Sequence, residues 1–73
     1  MFKAMIDLRK NLGTVEVEIY PTYVQQSDDM EYIAVEPFSD VSTQAHTTMH
    51  HALRELAYNL EKHYASNPTQ PSR

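Results

Sequence analysis

Thr43 to Tyr64 reads TQAHTTMHHALRELAYNLEKHY, and the fold turns on how this stretch is read. Met49, Leu53, Leu56, Leu60 and Tyr64 recur at spacings of four, three, four and four, with Ala52 and Ala57 beside them, so they form one apolar stripe at helical period. The spacing predicts an amphipathic helix of about six turns over 43–64. Ser42 or Thr43 can supply the N-cap oxygen, and Asn67-Pro68 ends the pattern because proline cannot continue it. Lys62 and His63 fall in the last turn, where a cation suits the helix dipole. The opposite face, with His51, Glu55, Tyr58, Asn59 and Lys62, is expected to meet water.

The stripe needs a cover, and the residues before it supply one. Met1 to Arg9, MFKAMIDLR, alternates Phe2, Ala4, Ile6 and Leu8 with Lys3, Met5, Asp7 and Arg9, the period of a half-buried strand. A helix through Met5, Leu8 and Leu12 is the rival reading and would give α-β-β-α. Gly13 can take the positive φ of a hairpin loop, which places a turn over 10–14. Val15 to Tyr20 alternates again, with Val15, Val17 and Ile19 inward, and Pro21 predicts a bulge or an edge before Thr22 to Val24 continue the strand. After the polar connection QQSDD at 25–29, Met30 to Val35 forms a third strand with Ile33 and Val35 inward and Tyr32 and Ala34 outward. Glu36-Pro37 ends it, and Phe38 is expected to fold back as a plug beneath the helix.

The expected architecture is therefore α+β: a three-stranded antiparallel meander packed on one C-terminal helix, β-β-β-α. Residues 1–65 form a single domain and 66–73 have the composition of a disordered tail. A chain of 73 residues buries a modest core. It has no cysteine, which excludes disulfides and thiolate metal sites and makes the cytoplasm the natural compartment. No window approaches a membrane span or a signal peptide. Ten acids against six Lys and Arg give a formal charge of −4, which argues against phosphate-backbone binding and for a partner with a basic surface.

Chemistry is sparse. His46 and His50, four apart within His46-x-x-x-His50-His51, are the metal candidates, but a site needs at least three ligands and the next residue along that face is Arg54. Rim histidines are the preferred reading, with a fold that weakens in acid below about pH 6 as a buried imidazole is forced to charge. Glu16 and Glu18 share a strand face, yet a single sheet layer with one helix rarely encloses a pocket for acid–base work. One glycine cannot build a phosphate loop, so no enzyme and no cofactor is expected.

Surface remains. The sheet face away from the helix is expected to carry Met5, Glu16, Glu18, Tyr20, Tyr32 and Glu36, tyrosine and methionine ringed by acids, the composition of an interface for a basic protein. Three strands followed by a helix that opens STQAHTTMHHAL resemble the antitoxin half of the HicA–HicB type, which implies a small module neutralising a basic partner. In size, acidity and coarse topology the whole chain also resembles the small phage-encoded proteins that dock on bacterial RNA polymerase and block or redirect transcription. That likeness implies a non-enzymatic inhibitor acting in the host cytoplasm; the chain is expected to be a monomer or weak dimer, and the bare sheet face makes a self-associating module the alternative.

Overall fold

The computed structural model describes residues 1–26 and 29–66. It is α+β, with β1 (Phe2–Leu8), β2 (Gly13–Val24), β3 (Asp29–Glu36), a short β4 (Val41–Ser42) and one helix, α1 (Met49–Ser66). The strands form one antiparallel sheet in the order β1-β2-β3-β4. The N-terminal segment is a strand, as its alternation predicts. Its register, from Phe2 opposite Ile19 to Leu8 opposite Gly13, puts Phe2, Ala4, Ile6 and Leu8 on the face that carries Val15, Val17 and Ile19.

The β1–β2 turn differs from expectation. Lys10 and Asn11 take the positive φ values, 60° and 58°, and the Leu12 N–H donates to the Arg9 carbonyl at 3.2 Å. This is the pattern of a type I′ turn, whose twist matches that of the strands it joins. Gly13 is a strand residue with φ 91°. Strict alternation would send Leu12 outward with Glu16. Gly13 interrupts the alternation in a region open to glycine, and Leu12 joins the core.

Pro21 lies where an edge was expected. β1 reaches only to Ile19, so beyond that point β2 is paired on its β3 side alone, and a residue without an N–H costs the ladder nothing on the open side. At twelve residues, β2 spans about 40 Å, while the eighteen-residue helix spans about 27 Å. The β2–β3 hairpin therefore projects past the helix. Tyr23 and Met30, opposite each other near its end, are exposed.

The third strand faces the other way from the sequence expectation. Ile19 pairs with Ala34, so Tyr32, Ala34 and Glu36 point toward the helix, and Ile33 and Val35 lie on the outer face opposite Tyr20 and Glu18. A one-residue slip of register exchanges the two faces of a strand. What selects this one is the helix: Ala34 is fully buried, and its small side chain lets α1 approach the sheet. Glu36, only 2% exposed, is tolerated inside because the Tyr64 hydroxyl and the Ser39 hydroxyl both donate to its carboxylate.

The helix begins later than its periodicity suggests. Residues 43–48 stay out of it because Tyr32 and His46 exchange two backbone hydrogen bonds, 2.7 and 2.9 Å, and the Thr43 N–H donates to the Ala34 carbonyl. The run from Ser42 to His46 carries one residue more than the stretch of β3 it faces, a bulge that closes this sheet edge. Thr48 is the N-cap, its Oγ1 accepting from the His51 N–H at 3.1 Å. Ala52, Leu56, Leu60 and Tyr64 fill the buried stripe with Leu53 and Ala57 at its border, and Met49 is exposed at the helix start. Phe38 is 71% exposed at the tip of the β3–β4 connection, because Glu36 and Tyr64 fill the place beneath the helix where a plug was expected. Ala65 and Ser66 complete the helix, and the rest of the expected tail lies outside the described residues.

Candidate functional site

The sheet register places four of the six residues expected on the outer face, Met5, Glu16, Glu18 and Tyr20. Met5 stands opposite Glu16 and Lys3 opposite Glu18, and Tyr20 follows on the same side of β2. Met5 is 65% exposed and Tyr20 41%. The Tyr20 hydroxyl donates to Glu18 Oε1 at 2.5 Å, and that bond is the first cause raising the Tyr20 pKa above its ordinary value.

Tyr32 and Glu36 do not belong to this face. Both were expected outside, and the Ile19–Ala34 register turns them inward. In their place the face gains Ile33 and Val35, half-buried opposite Tyr20 and Glu18. The surface is consequently more apolar than the sequence reading had it: Met5, Tyr20, Ile33 and Val35, with Glu16 and Glu18 among them. No described segment covers it, since α1 packs on the opposite side.

The histidine cluster is not a helical i, i+4 pair. His46 sits in the extended segment beside β3, and its ring Nε2 bonds the Glu55 carboxylate of α1. The bond to His46 is the first cause holding the Glu55 carboxyl below its ordinary value of 4.5. His50 is exposed at the helix start, and the His51 Nδ1 meets the Thr48 hydroxyl at 2.9 Å. Among the described residues no group of three His, Asp or Glu is arranged to hold a metal ion. His46 instead locks the segment before the helix to the helix itself, assisted by the Asn59 side chain, which donates to the Ser42 carbonyl at 3.2 Å.

A second feature has no counterpart in the sequence reading. The Arg9 N–H donates to Glu61 Oε2 at 3.0 Å, tying the β1–β2 turn to the exposed side of α1. Two shallow grooves of about 250 Å³ each meet along Tyr58 and Glu61. Lys10 and Lys62 line one, and Arg9 and Arg54 line the other. Tyr58 is 61% exposed on the ridge between them, with the Lys62 ammonium 5.2 Å from its ring centre. Counting charges in the sequence could not find this arrangement, because the turn and the helix are far apart along the chain.

No family model matches the sequence, and no curated protein or solved structure matches it.

Proposed function

We propose that this protein is a non-enzymatic binding module that docks on a large host enzyme through its outer sheet face, with bacterial RNA polymerase as the leading candidate and interference with transcription as the outcome. The observation that carries the reading is the uncovered face itself. Met5, Tyr20, Ile33 and Val35 form an apolar strip with Glu16 and Glu18 set into it, and the described chain has nothing to lay over that side. An apolar centre with acids around it suits a protein partner whose complementary surface is basic, the apolar part supplying affinity and the acids steering the encounter. The chain's net charge of −4 acts in the same direction. Choice of polymerase rests on the likeness in size, acidity and topology to phage regulators of that enzyme.

Binding of the purified full chain to bacterial RNA polymerase core and holoenzyme, followed by a promoter transcription assay, tests the proposal. Wild type should bind and reduce transcript, and Glu16→Lys with Glu18→Lys should weaken binding by about tenfold or more and reduce its salt dependence. Absence of binding to either form of the enzyme rejects the polymerase assignment. Binding that survives the double charge reversal unchanged rejects the sheet face.

A further inference from the structure

The chain has six Lys and Arg in all. Arg9, Lys10, Arg54 and Lys62 line the two grooves beside Tyr58, Lys3 lies on the outer sheet face, and Arg73 falls outside the described residues. On an acidic protein, cations are scarce. Here most of them converge from two distant parts of the sequence on one exposed tyrosine.

The structure around them fixes that convergence. Lys10 holds a left-handed backbone conformation that few residues without glycine's freedom adopt, at the apex of a turn that the Arg9–Glu61 bond fastens to the helix. Glu61 is the one carboxylate that lines both grooves, and one of its oxygens is occupied by the Arg9 N–H. Four cations thus face one partly engaged acid.

We propose that the Tyr58 ridge and its two flanking grooves bind a short acidic segment of a protein partner, carboxylates entering the grooves and an apolar or aromatic side chain resting on Tyr58. Guanidinium groups from Arg9 and Arg54 suit carboxylates by their forked geometry, and the ammonium groups of Lys10 and Lys62 add point charge on the other side. An exposed tyrosine offers a large rigid contact at small entropic cost. Nucleic acid fits less well. Duplex DNA carries a charge about every 1.7 Å, so a tract long enough to bind would run off this patch onto a surface of net negative charge. A segment with two or three acids ends where the patch ends.

This site is separate from the outer sheet face and does not depend on the function proposed for it. The test is a ¹⁵N-correlation NMR titration of the full chain at low salt, where screening is weak, with three probes: blocked hexaglutamate, single-stranded hexathymidylate and blocked hexalysine. Hexaglutamate should shift the amides of residues 9–11 and 54–62. Lys10→Glu with Lys62→Glu should weaken its binding by about tenfold or more, and Arg54→Glu, which leaves the turn intact, should weaken it independently. Lys3→Glu removes the same kind of charge from the other side of the sheet and should leave the titration unchanged. Shifts scattered over the surface, or an equal loss in Lys3→Glu, would overturn the proposal. Tighter binding of hexathymidylate than of hexaglutamate would overturn it in favour of nucleic acid. Hexalysine is the control of opposite charge: it should leave the amides of residues 9–11 and 54–62 unshifted, and shifts there equal to those from hexaglutamate would overturn the proposal.

Discussion

The Tyr64 hydroxyl donates to the Glu36 carboxylate at 2.5 Å, joining the end of β3 to the C-terminal part of α1 inside the core. Sheet and helix belong to separate layers, and this bond ties them together from within the core. It also explains how an acid comes to be 2% exposed beside leucines: its two donors, Tyr64 and Ser39, replace the water it gave up.

Removing one donor should be costly. Tyr64→Phe leaves Glu36 with the Ser39 hydroxyl alone and should lose about 1–3 kcal/mol in urea unfolding at neutral pH. The same bond sets an alkaline limit. Burial first, and the hydrogen bond to Glu36 next, push the Tyr64 pKa from 10.0 up to about 12. In that interval the unfolded chain ionises its tyrosine while the folded chain keeps the proton, so the contribution is intact below about pH 10 and is lost as pH rises toward 12. The stability difference between wild type and Tyr64→Phe should shrink between pH 9 and pH 11.5; a constant difference would separate the bond from the titration.

Acid stability should follow Glu55 and not a buried neutral histidine. The Glu55 pKa is lowered, chiefly by the bond to His46, so its contribution is present above the ordinary value of 4.5 and disappears as pH falls through the lowered folded value. Wild type should exceed Glu55→Gln in urea midpoint at pH 6, and the gap should narrow as pH falls below 4.5. A gap that instead closes between pH 7.5 and 5.5 would return the acid transition to the histidines.

Facing of the third strand can be tested by size. Ala34 is buried against the helix, so Ala34→Leu should overpack that contact and cost about 1–3 kcal/mol. Val35 points to the outer face, where Val35→Leu should change stability by no more than about 0.5 kcal/mol. The reverse order of the two effects would mean that Val35 is the residue facing the helix.

The start of the helix can be tested by its cap. Thr48→Ala removes the oxygen that accepts from the His51 N–H and should cost about 1 kcal/mol, with Thr48→Asp retaining most of it. Ser42→Ala, at the start that periodicity alone suggests, should leave thermal stability and helix content nearly unchanged.

Period was enough for much of this fold. Alternation in Phe2–Leu8 and Val15–Ile19, and the spacing of Leu53, Leu56, Leu60 and Tyr64, each arise from side chains a few residues apart, and a sequence displays such relations directly. The strand character of the N-terminus, the edge at Pro21 and the single C-terminal helix were legible for that reason. So were Met5, Glu16, Glu18 and Tyr20 as outer-face residues, because β1 and β2 each have one strongly apolar side.

β3 has no such side. Tyr32 and Ala34 compete with Ile33 and Val35 for the interior, and hydropathy favours the branched pair. The choice was made by an element outside the strand: the helix needed a small residue at Ala34, and Tyr64 could satisfy Glu36. Nor could local spacing show that residues 43–48 would exchange hydrogen bonds with β3 in place of joining the helix, or that Arg9 and Lys10 would meet Arg54 and Lys62 around Tyr58. Sequence determined the three long strands and the body of the helix, since those patterns are short-range. Tertiary structure decided which face of β3 is buried and where the cations gather, because both depend on which distant residues come within contact distance.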